Sequence, residues 1–193
     1  MSTIDPTAGC RAVEARLAAT QNPRHRTMLK TLSGHLRAEA EGSIDGLMDT
    51  LVENPEYHMW AKGNDYGPKG YEAVKGYYTE LVAARRGVLE YVLDRIVVDD
   101  DAVVTEGVIN AYQPGRAARE FGFNVDEVDA TYLVTYRALI LWPFDESGLL
   151  LGEDGYASFD PDGAVAVASD ELPDAYVNLF DPSEYATVGI GAR

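Results

Sequence analysis

The stretch HLRAEAEGSIDGLMDTL, residues 35–51, contains the signals that decide the fold of this chain. Its first half continues a helix that Gly42 ends, because glycine readily adopts the left-handed conformation found at helix ends. Ser43 can then cap a short second helix over residues 44–52. The segment EYHMW, residues 56–60, follows closely and predicts a short strand. The chain therefore changes from helix to strand within about twenty residues.

Two of the three histidines lie in this region, His35 on the helix and His58 on the short strand. Histidine is the side chain whose ordinary pKa lies nearest neutral pH, so it is well suited to proton transfer. Two histidines near one cavity would indicate acid–base chemistry. The alternatives are a core histidine satisfied by backbone groups for His35, and a surface position for His58.

The rest of the chain divides into helices followed by strands. Helical spacing of apolar residues predicts helices over residues 11–19, from 24 to Gly42 and over 71–86. After Gly87 the period changes to two, which predicts four long strands over residues 88–98, 102–112, 131–144 and 149–159. A charged excursion over residues 113–129 is expected to form a loop over the mouth of a pocket.

Composition excludes several classes of protein. The chain has 193 residues, of which 46% are hydrophobic, and a net charge of −16, so it folds and it repels nucleic acids and anionic membranes. Cys10 is the only cysteine, which excludes an internal disulfide and a multi-cysteine metal site. No histidine pair has metal-ligand spacing, and no nucleotide, haem or flavin motif is present, so no metal and no cofactor is predicted. The absence of a signal peptide or long apolar run predicts a cytoplasmic protein.

This order of elements predicts an α+β fold, in which a curved antiparallel or mixed sheet wraps around the N-terminal helices and encloses a pocket. We expect one domain over residues 1–193, with a core at about 24–160 and an acidic C-terminal extension at 170–193. Within that extension Tyr176, Leu179 and Phe180 could dock as a short helix.

Three motifs resemble the cone-shaped superfamily of nuclear transport factor 2, ketosteroid isomerase, scytalone dehydratase and the SnoaL-like polyketide cyclases. HLRAEAEGSIDGLMDTLVENP is similar to the opening helix–glycine–helix of that superfamily. GYEAVKGYY, from Gly70, is similar to its central helix, and ALILWPFDESGLL, from Ala138, to the strand–turn–strand hairpin of the isomerases. The resemblance spans roughly residues 30–160 and implies the cone fold, a homodimer formed through the outer sheet face, and a wide range of activities.

The resemblance does not extend to steroid isomerisation. His35 matches the position of the tyrosine that donates to the oxyanion in ketosteroid isomerase. Met59 falls at the position of that family's aspartate base, and Ile140 at the position of its second, protonated carboxyl donor. Neither side chain can do that chemistry.

The remaining candidates define a hypothesis for an acid–base site. His58 or Glu106 would abstract a proton next to a carbonyl or hydroxyl, and His35 or a tyrosine would stabilise the oxygen. Glu106 could instead face solvent, and the candidate Asp45 could simply favour the helix dipole. The candidate substrate-binding residues are Tyr57, Trp60, Tyr78, Asn110, Tyr112, Tyr136, Ile140 and Trp142.

The sequence thus predicts a cofactor-independent lyase or isomerase, of the dehydratase, isomerase or cyclase class, acting on an apolar cyclic, polyketide-like or steroid-like molecule. The alternative is a non-catalytic module of the same fold that binds a small molecule or a partner. Imidazoles of His35 and His58 that converge on one point would favour the enzyme, and imidazoles that point apart would favour the binding module.

Overall fold

The structure, a computed structural model, describes residues 4–61, 63–84 and 86–172. None of the helices in these ranges is long and apolar enough to cross a membrane. The elements, in chain order, are α1 Ala8–Ala19, α2 Pro23–Glu41, α3 Ile44–Met48, β1 His58–Ala61, β2 Asn64–Asp65, α4 Tyr71–Ala83, β3 Leu89–Val98, β4 Ala102–Pro114, α5 Gly115–Phe121, β5 Thr131–Pro143, β6 Asp154–Ser158, β7 Ala164–Val167 and a 3-10 turn at Ser169–Glu171.

The strands form one mixed sheet in the order β2-β1-β6-β5-β4-β3. β1 runs parallel to β6, whereas the other pairs are antiparallel. β5 pairs with β6 through residues 137–141 and with β7 through residues 131–134, so both short strands lie along one edge of β5. The curved, unclosed sheet and the helices confirm the predicted α+β cone.

α2 is the central helix of the fold, and its ends are those that the sequence predicts. The Asn22 side chain accepts hydrogen bonds from the backbone N–H groups of Arg24 and His25, and Gly42 ends the helix at φ 66°. The inward residues Met28, Leu29 and Leu32 are fully buried. They share one hydrophobic core with inward residues of the sheet, which include Val103, Ile109, Ile140 and Trp142.

Alternation along β5 separates the interior of the cone from its outer face. Tyr132, Val134, Ala138, Ile140 and Trp142 are buried on the inward side. Arg137 and Leu139 are exposed on the other side. The sequence predicts the faces of this strand correctly, because a strand with one buried face must alternate.

Three predictions about the later elements need correction. Residues 113–129 contain the helix α5, and β7 forms in a segment for which no strand is predicted. The last long strand, predicted over 149–159, is regular only from Asp154 to Ser158. The expectation for Tyr176, Leu179 and Phe180 lies outside the described residues.

At Gly152 the segment before β6 passes very close to the backbone of Glu56. A Cβ atom at Gly152 would lie 1.7 Å from the carbonyl oxygen of Glu56, so only glycine permits this close approach. The backbone N–H of Glu56 donates to the Leu151 carbonyl at 2.8 Å, and the backbone N–H of His58 donates to the Glu153 carbonyl at 2.7 Å. These contacts hold the backbone of Glu153 against β1.

We expect Gly152→Ala to lower the free energy of unfolding by more than about 2 kcal/mol, since the backbone of residue 56 must move. Gly76→Ala is the matched control. It lies in the middle of α4, where an added Cβ meets no atom within 4 Å, and it should raise stability by about 0.5–1 kcal/mol. Chemical denaturation measures both. A Gly152→Ala protein as stable as wild type would contradict this account of the crossing.

Candidate functional site

His35 lies at the bottom of the interior and makes two side-chain hydrogen bonds. It is fully buried; its Nδ1 lies 2.7 Å from Thr50 Oγ1 and its Nε2 lies 3.1 Å from the Tyr78 hydroxyl. The Tyr78 hydroxyl in turn lies 3.0 Å from the Tyr57 hydroxyl. The ring edge of His35 also packs against Trp142, at 5.7 Å between centroids. This set of residues, His35, Thr50, Tyr57 and Tyr78, is called the His35 chain below.

One hydrogen bond, from Thr50 to the Leu47 carbonyl, determines which group donates and which accepts in all the other hydrogen bonds of the His35 chain. Thr50 donates its hydroxyl proton to the Leu47 carbonyl at 2.6 Å, so it can only accept from His35. The proton of His35 is therefore on Nδ1, and Nε2 must accept from Tyr78. Tyr78 has then used its proton, so Tyr57 donates to Tyr78.

This arrangement makes His35 a positioning residue. Burial lowers the pKa of His35 to about 3, so the ring is neutral at physiological pH. Both ring nitrogens already have hydrogen-bond partners, so neither is available to a substrate. The structure gives no support to the hypothesis that His35 is a catalytic donor. It agrees with the alternative of a core histidine whose hydrogen bonds are all made, although the partners are side chains rather than backbone groups.

His58 points away from His35, which corrects the expectation that the two imidazoles converge. His58 Nδ1 lies 2.7 Å from Asp65 Oδ2 and 2.9 Å from Lys69 Nζ. Its ring stacks on Trp60, whose side chain is 46% exposed. The cause is strand alternation: the preceding residue, Tyr57, faces inward, so His58 and Trp60 face outward. Neither outward residue faces the interior.

Glu106 lies on the outer face of the sheet, as the solvent-facing alternative predicts. Its carboxylate forms ion pairs with Arg137 and, at 3.5 Å, with Arg95. Arg137 also pairs with Asp94 at 2.7 Å. These charges balance one another on the surface of β3, β4 and β5, away from the interior.

Three other candidates also lie outside the interior. Asp45 is exposed in the first turn of α3, where an acidic side chain favours the helix dipole. Asn110 is on the same outer face as Glu106 and bonds with Glu90 and Thr135. Tyr112 is buried, but in a separate cluster that includes Ile4, Val82, Val88 and Val167. Tyr57, Tyr78, Tyr136, Ile140 and Trp142, by contrast, all face the interior.

Two carboxyl groups that are absent from the predicted set lie inside the cone: Glu39 and Glu153. Each is half-buried, and within the described residues neither has a hydrogen-bond or ion-pair partner for its side chain. Burial raises the pKa of Glu39 to about 7. Burial, and then the charge of Glu39, raise the pKa of Glu153 to about 8. The two groups therefore titrate as a pair near neutral pH.

The elements explain why both glutamates point inward. Glu39 follows His35 by four residues on α2, so the two side chains share one face of the helix. Asp154 pairs with Leu141 on the outer side, so the preceding residue, Glu153, faces inward beside Trp142. Gly155 is also inward, and a Cβ built there would lie 4.0 Å from Glu153 Oε1, in ordinary contact. The missing side chain of Gly155 leaves space in front of the carboxyl group.

Tyr77 and Tyr136 share this space with the two glutamates, and all four are half-buried. Burial first, and then the charges of Glu153 and Glu39, raise the pKa of Tyr77 and of Tyr136 well above the ordinary value. Arg86 acts in the opposite direction on both. The phenols therefore stay protonated at neutral pH and can donate hydrogen bonds.

The arrangement offers proton transfer rather than metal binding. No group of three or more potential metal ligands among His, Cys, Asp and Glu occurs in the described part of the chain. Two glutamates whose pKa values burial raises toward neutral can each take up or release a proton near pH 7, and two neutral tyrosines can donate hydrogen bonds to an oxygen.

The carboxyl pair predicts how stability depends on pH. The pKa of each glutamate is higher in the folded protein than its ordinary value of 4.5, so the stabilisation is complete below about pH 4.5 and is lost as pH rises through 7 and 8. Glu39→Gln and Glu153→Gln remove this loss. Their free energy of unfolding relative to wild type should increase steadily from pH 5 to pH 9.

Denaturation at a series of pH values measures this difference. Glu72→Gln, at an exposed carboxyl in the first turn of α4, is the control, and its difference from wild type should stay flat over that range. Equal pH profiles for all three variants would mean that the interior carboxyls are ordinary ones.

Solved structures with the same architecture were found by comparison of coordinates. An NTF2-like protein of Anabaena variabilis has a TM-score of 0.53 and 15% identity, and the match covers 74% of this chain and 96% of that one. A protein named as a SnoaL-like polyketide cyclase, from Shewanella denitrificans, has a TM-score of 0.54 and 13% identity, with 68% and 90% covered. A Mycobacterium tuberculosis protein in complex with estradiol-17beta-hemisuccinate has a TM-score of 0.50 and 16% identity, with 72% and 98% covered.

No protein-family model and no curated protein matches the sequence. At identities this low, the structural neighbours show the fold alone. The chain has the NTF2-like, or SnoaL-like, fold that its three motifs predict.

Proposed function

We propose that this protein is a cofactor-independent acid–base enzyme of the lyase or isomerase type, acting on an apolar small molecule in the interior of the cone. The observation that carries the proposal is the pair of unpaired carboxyls, Glu39 and Glu153, in a space lined by tyrosines. Carboxyl groups that lack protein partners and have pKa values near neutral are typical of acid–base sites.

The two carboxyls divide the chemistry between them. Burial raises the pKa of both groups, and the charge of Glu39 raises the pKa of Glu153 further, so we assign the base of the singly protonated pair to Glu39 and the acid to Glu153. The Glu39 carboxylate takes a proton from a carbon next to a carbonyl, and the C–H electrons form a carbon–carbon double bond. The Glu153 carboxyl gives its proton to the carbonyl oxygen, which yields an enol.

The reaction can proceed in two ways with all atoms balanced. In an isomerisation the enol is conjugated with a second double bond; Glu39 returns its proton to the far carbon of that double bond, Glu153 takes back the O–H proton, and the carbonyl forms again. In a dehydration the substrate has a hydroxyl on the next carbon; Glu153 gives its proton to that hydroxyl rather than to the carbonyl oxygen, and the hydroxyl leaves as water while Glu39 keeps the carbon-derived proton. Transfer of that proton to Glu153 through solvent restores the pair.

Tyr77 and Tyr136 complete the proposed site. As neutral phenols they donate hydrogen bonds to the substrate oxygen, where negative charge develops. The His35 chain lies beneath them and holds Tyr57 and Tyr78 in fixed positions as the floor. The roles that the sequence predicts for His58, Glu106 and Asp45 are not part of this mechanism, because those residues lie outside the interior.

The structural neighbours are consistent with a small-molecule ligand. One is named as a polyketide cyclase and another was solved with a steroid ester, so this fold accommodates apolar cyclic molecules. We also propose a homodimer through the outer face of the sheet. Exposed apolar side chains there, namely Trp60, Val92, Leu139 and Tyr156, form a surface that a second copy could cover.

A non-catalytic binding module is the second candidate. Two observations favour it: the imidazoles of His35 and His58 point apart, and aromatic rings fill part of the interior, where Tyr57, Tyr78 and Trp142 are almost fully buried. Such a module would bind the same ligands but would not exchange their protons.

We expect Glu39→Gln and Glu153→Gln each to slow proton abstraction by about 10²- to 10⁴-fold, the usual contribution of a general acid or base. The proposed first step requires only a C–H bond next to a carbonyl, so a simple ketone can serve as the probe. The assay is the incorporation of deuterium from heavy water into bicyclic ketones such as α-tetralone. The wild-type rate should follow a bell-shaped pH profile with limbs near pH 7 and pH 8.

Three further variants sharpen this test. Gly155→Leu should block exchange by filling the space in front of Glu153, whereas Glu72→Gln should have no effect. His58→Ala should remain active; an inactive, folded His58→Ala protein would support the histidine mechanism instead. Binding without any exchange by wild type would support the binding module.

A further inference from the structure

Arg86 is a cation whose charge acts on two tyrosines of the interior, and its backbone is held by hydrogen bonds. It follows α4, where its N–H donates to the Leu81 carbonyl at 2.9 Å. Its own carbonyl accepts from the Gln113 side chain at 3.5 Å. The guanidinium acts on the hydroxyls of both Tyr77 and Tyr136, so its charge reaches the space that contains the two glutamates.

The side chain of Arg86 has no partner within the described residues. Its Nε is shielded from water and has no hydrogen-bond acceptor. This is unusual in a chain with 32 acidic and 16 basic residues, where Arg11, Arg37 and Arg137 all pair with carboxylates. A buried donor without an acceptor is costly, so the position of Arg86 is better explained by an acceptor that arrives with a ligand.

Arg86 also lines an open groove on the surface of the protein. The groove has a volume of about 390 Å³ and lies between the end of α4 and the helix α5. Its other lining residues are Ala84, Pro114, Arg116, Ala117, Glu120, Val128 and Asp129. Arg116 is paired with Asp129 at 3.5 Å, so Arg86 is the arginine of this groove whose charge is not matched by a described carboxylate.

We propose that Arg86 anchors a carboxylate of the ligand, so that the substrate class is a small apolar organic acid. The planar guanidinium can present Nε and one Nη nitrogen side by side to the two oxygens of a carboxylate. The apolar body of the molecule then extends past Tyr77 and Tyr136 toward the two glutamates. This orientation of the reacting end rests on the proposed acid–base function, whereas the anchor itself can be tested by binding alone.

Charge favours a carboxylate over a phosphate monoester. One arginine matches one negative charge, and the net charge of −16 repels a more highly charged anion. In the singly protonated pair only one of the two nearby glutamates carries a charge, so the pair opposes a bound monoanion with one negative charge rather than two. Guanidinium recognition of a single carboxylate is therefore the best match to the site.

The test compares matched acid and amide ligands by isothermal titration calorimetry, with two pairs: cyclohexylacetic acid with cyclohexylacetamide, and cinnamic acid with cinnamamide. Wild type should bind each acid at least about tenfold more tightly than its amide, the effect of one charge-assisted hydrogen-bonded pair. Arg86→Met should abolish this preference, and Arg86→Lys should keep part of it. Arg116→Met, in the same groove, is the matched control and should keep it in full.

Stability provides the readout that separates an anchor from a structural arginine. Because Arg86 has no described side-chain partner, Arg86→Met should leave the melting temperature of the ligand-free protein unchanged or higher. A large fall in melting temperature would overturn the proposal, as it would mean that Arg86 already has a structural partner.

Two further outcomes would also overturn it: equal binding of acids and amides by wild type, or failure of both acids to bind at millimolar concentration. The double variant Glu39→Gln/Glu153→Gln separates this inference from the proposed function. If that variant retains the acid preference while wild type exchanges no protons, the anchor stands and the acid–base function fails. If wild type exchanges protons but binds acids and amides equally, the acid–base function stands and the anchor fails.

Discussion

The structure depends on a buried histidine that must remain neutral and fully hydrogen-bonded. His35 connects α2 to Thr50, just beyond α3, and through Tyr78 to α4, and Tyr78 connects to Tyr57 just before β1. Each bond has its direction fixed by the donation of Thr50 to a backbone carbonyl. A polar set this deep is stable only if every member is satisfied. The His35 chain therefore fixes the helices relative to the sheet and closes the lower interior.

The two glutamates contrast with this satisfied floor. Glu39 lies one turn along α2 from His35, and its charge acts on Glu153, just before β6; both residues are half-buried, and neither carboxyl has a described partner. Burying polar groups without partners costs folding free energy, and that cost is commonly retained where a site must bind or react. The hydrogen-bonded residues of the His35 chain thus belong to the scaffold of this protein. The two glutamates without described partners belong to its proposed acid–base site.

Most of the fold could be predicted from the sequence, because its signals are local. Helical periodicity and Gly42 predict α2, and alternation along β5 predicts which side chains face inward. The close approach of Gly152 to Glu56 could not be predicted, since the two residues are far apart in the chain. α5 was missed because its seven residues are too few for a clear period.

The candidate site was predicted only in part, and the reason is physical. The residue types of His58 and Glu106 suggest acid–base catalysis. Each of them, however, directly follows a buried residue, Tyr57 or Thr105, so strand alternation places both on the outer face. Glu39 could have been found from its spacing of four after His35 on the inner face of α2. Its unusual pKa could not, because burial and the neighbouring Glu153 arise only in the folded chain.

The most direct test of the account is the protonation state of the Glu39–Glu153 pair, measured by infrared difference spectroscopy of the carboxylic acid C=O stretch. We predict that wild type keeps a protonated carboxyl band above about pH 6 and loses it between pH 7 and pH 8, and that the double variant Glu39→Gln/Glu153→Gln lacks this band. Complete ionisation of all carboxyls in wild type below about pH 5.5 would contradict the account.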